Sequence, residues 1–304
     1  MPDDKGVADV LISVAAIKDL ETWKLTAEQL LRRIASKEYW LIVPDDEVDV
    51  FRASTPDVIQ VFPESIFTFE FEHKLYECQG RALPARRGWY LQQLIKLAAL
   101  RTASNCERVV IWDADTVPLR EINFFSETGS CRYYSGTDYH LPYFENIDRL
   151  LGLDKAQPES HITQNFPILG SQIIAFFDYI ERRHSKNWWE AVIESIDFDE
   201  ISGFSEYEVL GTFVSFFEET GVGERQSGAW SYGVASQISR HLKRRSPKSP
   251  KFDFIAVEEW AQPKYGYMVA DESVNKIWMV VVSLVSPILQ LSRRILRNMR
   301  SLDN

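Results

Sequence analysis

Four short apolar runs in the first 112 residues most constrain how this chain can fold. They are rich in β-branched and aromatic residues and alternate with helix-like or short acidic segments. A continuous apolar run is typical of a strand buried on both faces, as in the middle of a parallel sheet. The alternation therefore predicts an α/β fold with a doubly wound, mostly parallel sheet. The four runs are residues 10–16, 39–43, 58–62 and 109–112.

Other segments are predicted from apolar residues at helical spacing or from polar composition. Residues 66–84 are irregular, and the alternation of Phe67, Phe69 and Phe71 with polar residues is typical of a strand. Residues 158–169 are predicted to form a polar loop. Ser205 is expected to cap a helix, with Glu208 completing a capping box. The remaining helices are predicted at residues 19–34, 88–100, 146–153, 170–183 and 188–196.

The charge of the chain is strongly uneven. The formal net charge of −10 over 304 residues argues against a general nucleic-acid-binding protein. From Arg240 to the end, however, there are 12 basic and 6 acidic residues. Residues 277–291 form an apolar run that is too short to span a bilayer, and four arginines follow it. We expect a helix here that either packs on the body or lies peripherally on an anionic membrane.

Cysteine content and the lack of common motifs exclude several functional classes. The three cysteines are widely spaced, so neither a zinc site nor a disulfide framework is indicated. A reducing cytoplasm fits them best, with the inner face of the cytoplasmic membrane as a peripheral location. The chain contains neither the GxGxxG of dinucleotide-binding proteins nor the GxxxxGK[ST] of P-loop proteins.

Two aspartates follow the fourth predicted strand, in the sequence WDADT. Asp113 and Asp115 would lie at the carboxyl end of this strand, where ligands bind in open α/β sheets. Their oxygens suit a hard divalent cation such as Mg²⁺. The simpler alternative is an acidic turn, because aspartate is common after strands.

Two other segments carry candidate polar residues. Gln92 and Lys96 lie four residues apart on one helix and share a face. With Arg86 near the start of that helix, Lys96 could face a phosphate, although a solvated polar stripe is the simpler interpretation. Glu206, at the start of the helix after Ser205, is either a favourable carboxylate at a helix N-terminus or a base in a cleft.

Taken together, GWYLQQLIKL, IWDADTV and GFSEYEVLG resemble the GT-A fold glycosyltransferases, in particular a poorly characterised bacterial group of them. The resemblance covers roughly residues 8–220. It implies a GT-A-like, Rossmann-like sheet flanked by helices, with a C-terminal helical extension. The corresponding domains are a catalytic domain at 1–260, with a donor half at about 8–135 and an acceptor half at about 136–260, and an extension at 261–304.

The resemblance also implies a site and a reaction. A sugar would move from a UDP- or GDP-sugar to a glycan or lipid-linked acceptor, with Mn²⁺ or Mg²⁺ as the cofactor. A metal-binding histidine found near the C-terminus of some such enzymes has no clear counterpart. The implied residues are Asp115 and Asp113 for the metal, Asp113, Gln92, Lys96 and Arg86 for the donor, Glu206 and then Asp138 as base, and His161, Asn165 and Tyr207 on the acceptor side.

Two alternatives remain open at the level of sequence. DADTV also fits the DxDx[TV] pattern of haloacid-dehalogenase-like phosphatases, in which the first aspartate, here Asp113, is the nucleophile. That class would require a later strand ending in an acidic pair, for which residues 197–200 are the candidate. The second alternative is a non-catalytic, membrane-associated protein on the same fold.

Overall fold

The computed structural model describes residues 6–68, 71–155, 159–217, 224–225, 230–232 and 252–257. The strands are β1 (Ala8–Val14), β2 (Ser36–Val43), β3 (Ile59–Pro63), β4 (Arg108–Trp112), β5 (Thr116–Pro118), β6 (Arg132–Tyr133), β7 (Asn165–Leu169), β8 (Glu224–Arg225), β9 (Trp230–Tyr232) and β10 (Phe254–Ala256). The helices are α1 (Leu20–Arg33), α2 (Val48–Ser54), α3 (Ser65–Thr68), α4 (Glu72–Glu77), α5 (Leu83–Thr102), α6 (Leu141–Leu151), α7 (Gly170–His184), α8 (Trp188–Ser195) and α9 (Glu206–Phe217).

The central sheet has five strands in the order β3-β2-β1-β4-β7. The first three neighbouring pairs are parallel, and β7 runs antiparallel to β4. The side chains of β1 and β4 are almost all buried, which explains their continuous apolar sequences. Helix α5 packs on β1, and α9 packs against α5 and α6. The predicted α/β class, with a mostly parallel sheet flanked by helices, is confirmed.

A smaller sheet covers the region just after β4. Its strand order is β5-β10-β9, with β10 antiparallel to β5. This pairing brings Val257 next to the aspartates, and its backbone N–H donates to the carbonyl of Asp115 at 2.9 Å. Trp112, fully buried at the end of β4, donates from Nε1 to the carbonyl of Thr116 at 2.7 Å. The turn that carries both aspartates is therefore held on two sides.

The strand suggested within residues 66–84 is wrong, because the structure has α3 and α4 there. Phe67, Phe71 and Leu75 are buried at intervals of four residues, which is a helical spacing. Phe67, Phe69 and Phe71 also occur at every second position, so this stretch fits the two-residue period of a strand as well as the helical spacing. Phe69 lies outside the described residues.

The polar loop predicted at residues 158–169 is also only partly correct, because its second half is strand β7. This strand lies at the edge of the sheet, where Pro167 is tolerated since one side of the strand needs no ladder donor. Helices α5 and α6 begin five residues earlier than predicted, and each has a proline in its first turn.

Several predicted features lie outside the described residues. These are the basic loop at 240–251, the domain boundary at 260, and the C-terminal helix at 277–291 with its arginines. Within the described ranges, no helix combines the length and apolar character needed to cross a membrane. The three cysteines are free thiols.

Candidate active site

A cavity of about 990 Å³ opens at the carboxyl ends of β1 and β4. Its lining comes from the segment after β1, one face of α5, the turn after β4, the loop into α6, and residues 202–207. Among the described residues, three cationic and five acidic side chains line it, so its interior is acidic. The charged residues are Lys18, Arg86, Lys96, Asp19, Asp113, Asp115, Asp138 and Glu206.

One face of α5 runs along the cavity and is joined to residues 201–207 by hydrogen bonds and an ion pair. Arg86 donates to Ser202 Oγ at 2.9 Å, Gln93 Oε1 accepts the Glu206 N–H at 3.0 Å, and Lys96 binds Glu206. The contacts follow the helical spacing of the α5 residues. We call the part of the cavity at Lys96 the acidic end and the part at Arg86 the aromatic end.

The acidic end is a buried cluster centred on Lys96. Lys96 Nζ lies 2.6 Å from Asp113 Oδ1, 2.6 Å from Glu206 Oε1 and 3.3 Å from the Tyr207 hydroxyl. Tyr207 in turn donates to Asp113 Oδ1 at 2.5 Å. The Lys96 and Glu206 side chains are only 4% and 5% exposed, and that of Asp113 is 14% exposed. One lysine thus binds two carboxylates, which leaves the cluster with a net negative charge.

Burial and ion pairing act in opposite directions on these groups. Burial alone would lower the pKa of Lys96, but the charges of Asp113 and Glu206 outweigh it and raise the pKa above its usual value. Burial raises the pKa of Glu206, and the charge of Lys96 opposes this shift. Burial, with the charges of Asp113 and Glu206, raises the pKa of Tyr207 well above its usual value. Tyr207 is therefore a neutral hydrogen-bond donor to Asp113.

The two aspartates after β4 suit a divalent cation that has further ligands from a bound anion. The Lys96 and Tyr207 contacts both use Oδ1 of Asp113, and no hydrogen bond to its Oδ2 forms within the described residues. Asp115 also lines the cavity. Carboxylate oxygens in an acidic cavity are the donors that Mn²⁺ and Mg²⁺ prefer. The described part of the chain contains no group of three or more histidines, cysteines or acidic residues placed to hold a metal ion.

Asp138, the second predicted base, lies in the cavity on a loop that is tied to α9. Gly136 pairs with Ser160 through two backbone hydrogen bonds of 2.8 and 3.0 Å. Ser160 Oγ donates to Glu208 Oε1 at 2.5 Å, and Glu208 is 1% exposed. Desolvation within the cavity, with the charge of Glu208, raises the pKa of Asp138.

Glu208 has a different role from the one expected from the capping box. Its backbone N–H donates to Ser205 Oγ at 3.3 Å, which is the predicted half of the box. Its carboxylate instead accepts from Ser160 and the His161 N–H, and it forms an ion pair with Lys155 at 3.3 Å. Glu208 thus links α9 to the loops that carry Asp138.

The aromatic end is built around Ser202. Arg86 donates from Nε to the Ile201 carbonyl at 2.9 Å and stacks on Trp89, 4.1 Å from the ring centroid. His140 Nε2 lies 2.8 Å from the Ser202 carbonyl oxygen, and the rings of His140 and Tyr143 are 4.6 Å apart. Burial raises the pKa of Tyr143 to about 12, against the opposing effect of a hydrogen bond with Ser202.

The structure brings eight of the ten predicted site residues to this cavity. His161 and Asn165 are not in its lining. Asn165 is 1% exposed and donates from Nδ2 to the carbonyl of Thr163 at 2.8 Å. The His161 ring packs on α9 so closely that a Cβ at Gly211 would lie 2.1 Å from it. The eight that line the cavity are Arg86, Gln92, Lys96, Asp113, Asp115, Asp138, Glu206 and Tyr207.

Two of these eight, Gln92 and Arg86, are less directly placed to bind a donor at the aspartates. Gln92 donates from Nε2 to the carbonyl of Val14 at 3.2 Å, which ties α5 to the end of β1. Arg86 precedes Lys96 by ten residues, or ~15 Å along a helix at the usual rise per residue. It is therefore at the other end of the cavity from the aspartates.

Sequence reasoning missed most of the aromatic end. Trp89 lies within the helix predicted at residues 88–100, and its spacing from Arg86 and Lys96 places all three on one face of α5. His140, Tyr143 and Ser202 come from segments without a recognisable motif. Their convergence depends on tertiary contacts between α5, α6 and the loop before α9.

Several solved structures are similar to this protein, and one of them is a galactosyltransferase. A crystal structure of the galactosyltransferase LgtC in complex with donor and acceptor sugar analogues matches with a TM-score of 0.45 and 8% identity, over 90% of this chain and 95% of that chain. No curated protein matches the sequence.

A family model matches residues 21–226, which include all but the first residue of α1, the whole of α5, both aspartates after β4 and all of α9. The match covers more than half of the chain. The protein therefore belongs to the family of unknown function DUF6492.

Proposed function

We propose that this protein is a glycosyltransferase that uses a divalent cation, Mn²⁺ or Mg²⁺, and a nucleotide-sugar donor, with a glycan or lipid-linked acceptor. The observation that carries the proposal is the acidic end of the cavity. There, two aspartates follow a buried strand, and a lysine and a tyrosine hold one oxygen of the first aspartate. The charge and the position suit a cation that binds a diphosphate.

The acidity of the cavity supports a cation-dependent donor site. A nucleoside diphosphate is itself anionic, and five carboxylates against three cationic side chains would repel it. A divalent ion held by Asp115 and Asp113 would neutralise this local charge and stabilise the negative charge that develops on the leaving diphosphate. Lys96 holds Asp113 in one orientation through Oδ1, and Tyr207 reinforces that orientation.

An inverting transfer requires a base for the acceptor hydroxyl, and we assign this role to Asp138. Glu206 was the first candidate from the sequence, but its Oε1 is ion-paired with Lys96 and its side chain is 5% exposed. Asp138 opens into the cavity, and its raised pKa makes it a stronger base than an ordinary aspartate. Glu206 then acts by holding Lys96.

The phosphatase alternative loses its expected second motif. That class would place a strand directly before the acidic residues 197–200, and the structure has helix α8 there. In addition, Asp113 Oδ1 is bound by both Lys96 and Tyr207. We therefore do not propose a phosphatase.

The test measures the melting temperature with Mn²⁺ and a panel of nucleotides that includes UDP and GDP. A ligand that binds only the folded protein stabilises it by about 2.7 kcal/mol at one hundred times its Kd. We expect a shift that needs both Mn²⁺ and one nucleotide, and we expect Asp115→Asn to abolish it while the protein stays folded. Asp178→Asn, on the exposed face of α7, is the matched control and should keep the shift.

Two outcomes contradict the proposal. If the full-length protein shows no shift with any nucleotide, the non-catalytic alternative is preferred. If Asp115→Asn keeps the Mn²⁺-dependent shift, the cation is bound elsewhere.

A further inference from the structure

We propose that the aromatic end of the cavity is the acceptor subsite, and that it binds a sugar ring of a glycosylated acceptor. This inference rests on the proposed glycosyltransferase function. The subsite consists of Trp89, Tyr139, His140 and Tyr143 around the Arg86–Ser202 contact.

The first argument is the distance between the two ends. Trp89 and Lys96 lie on the same face of α5 and are seven residues apart. At about 1.5 Å per residue, their backbones are ~10 Å apart along the helix axis. A group bound against Trp89 is therefore not the diphosphate at Asp113. The two ends hold different parts of the reacting molecules.

The second argument is the chemistry of the side chains. Tryptophan, tyrosine and histidine combine an apolar ring face with a polar atom, which matches a sugar ring with apolar C–H faces and polar hydroxyls. Pockets that bind small molecules commonly combine aromatic walls with a few fixed polar groups. Here Arg86 supplies the fixed polar group, because its guanidinium carries five N–H donors and contacts Ile201 and Ser202.

The third argument is rigidity. Hydrogen bonds from several elements hold the loop at 200–203. They include Arg86 to Ile201 and Ser202, His140 to the Ser202 carbonyl, and the Gly203 N–H to the Tyr90 hydroxyl at 2.9 Å. A wall that is fixed before binding loses little conformational entropy when a ligand arrives. Such pre-organisation is expected of a binding surface.

Two exposed apolar residues flank this wall. Ile201, directly before Ser202, is 70% exposed, and Leu141, directly after His140, is 40% exposed. They would contact an apolar group attached to the bound sugar. The sugar ring is common to free glycans and lipid-linked glycans, and the experiment below distinguishes these two sources.

The experiment measures binding of methyl and octyl glycosides of glucose, galactose and N-acetylglucosamine to the full-length protein by saturation-transfer NMR and titration. We expect Trp89→Leu and Tyr143→Leu to weaken the binding of a glycoside at least tenfold. Both variants should keep the melting-temperature shift with Mn²⁺ and nucleotide. Tyr76→Leu, an exposed aromatic position on α4, is the matched control and should change neither.

Comparison of the two glycoside series identifies the source of the sugar. A lipid-linked acceptor predicts tighter binding of octyl than methyl glycosides, and Ile201→Ser should remove that preference. A free glycan predicts equal binding of the two series and no effect of Ile201→Ser.

The outcomes separate this inference from the proposed function. If the nucleotide shift is present but no glycoside binds, or if the Leu variants bind glycosides normally, the acceptor subsite is wrong. If the Leu variants lose the nucleotide shift while folded, the aromatic end belongs to the donor, which also overturns the inference. Absence of the nucleotide shift in the unmodified protein contradicts the proposed function itself.

Discussion

The two ends of the cavity share one helix but are stabilised in different ways. At the acidic end, Lys96 and two carboxylates are buried together, and each charge depends on the others. At the aromatic end, Arg86 and His140 bond mainly to backbone and hydroxyl groups of Ile201 and Ser202. A buried ionic cluster is costly to break, because the remaining charge has no compensating partner. A wall of rings and of hydrogen bonds to neutral acceptors tolerates single substitutions better.

This contrast predicts its largest effect for Lys96→Met. The substitution leaves Asp113 and Glu206 buried side by side without their cation, so the free energy of unfolding should fall by about 3–5 kcal/mol. The Mn²⁺-dependent nucleotide shift should also be lost, since Asp113 is no longer held through Oδ1. Urea unfolding followed by circular dichroism measures the first effect.

The matched control is Lys24→Met on α1, whose ion pair with Glu21 is exposed. Its effect should stay within about 0.5 kcal/mol. Equal stability of the two variants would show that the ion pairs at Lys96 do not hold the acidic end together.

The next prediction concerns the rate of sugar transfer rather than the stability of the fold. Asp138→Asn should lower the rate of sugar transfer by about 10²–10⁴-fold, the usual contribution of general base catalysis. Nucleotide binding should be unchanged, because Asp138 is not among the hydrogen-bond and ion-pair partners of Lys96 in the described part of the chain. Transfer is measured with the glycoside that binds best.

The pH dependence of the transfer rate also tests the assignment of Asp138 as the base, and Glu208 is the residue to change. Asp138 acts only when deprotonated, and its pKa is raised by desolvation and by the charge of Glu208, so the rate should rise with pH through that raised pKa. Glu208→Gln removes one negative charge and should move this rise toward lower pH by up to about one unit. Asp178→Asn should leave it in place. An unchanged profile in a folded Glu208→Gln variant would contradict the assignment.

The smallest expected effect comes from a second carboxylate cluster, near the ends of β2 and β3. Burial, followed by the charges of Glu72 and Asp45, raises the pKa of Glu64 to about 7. Its folded-state pKa lies above its unfolded value, so this group destabilises the fold as the pH rises from about 4.5 to 7. Glu64→Gln should therefore stabilise the protein at pH 8 by about 1 kcal/mol, after allowance for solvent screening, and have little effect at pH 4.

Denaturant unfolding at the two pH values measures this difference. The difference measures how much stability is lost when a carboxylate is buried among like charges without a lysine. It can then be compared with the acidic end, where Lys96 is present. The same stabilisation at both pH values would mean that the Glu64 charge is not its origin.

The parts of the fold that depend on local pattern were predictable from the sequence. The apolar runs that form β1 to β4, the helical spacing of α1, α7 and α8, and the Ser205 cap appear close to where the sequence pattern predicted them. The position of Asp113 and Asp115 followed from the strand before them. In these cases the local sequence and the global fold favour the same structure.

The sequence-based predictions that were wrong or incomplete concern features that depend on tertiary contacts. Strand β7 has a polar start and contains Pro167, so only its place at the sheet edge explains it. The carboxylate of Glu208 could complete a local cap, yet the long-range contacts with Ser160 and Lys155 prevail. Similarly, no local pattern shows that the loop with Ser202 meets the start of α5.

Helix α5 sets the distance and the relative orientation of the two ends of the cavity. Inserting or deleting one residue between Arg86 and Lys96 would rotate one end by about 100° relative to the other and face it away from the cavity. Within the family, this ten-residue interval should therefore be free of gaps. Ligand preference could then diverge by substitution at Arg86 or Trp89, while the span between the two ends of the cavity stays constant.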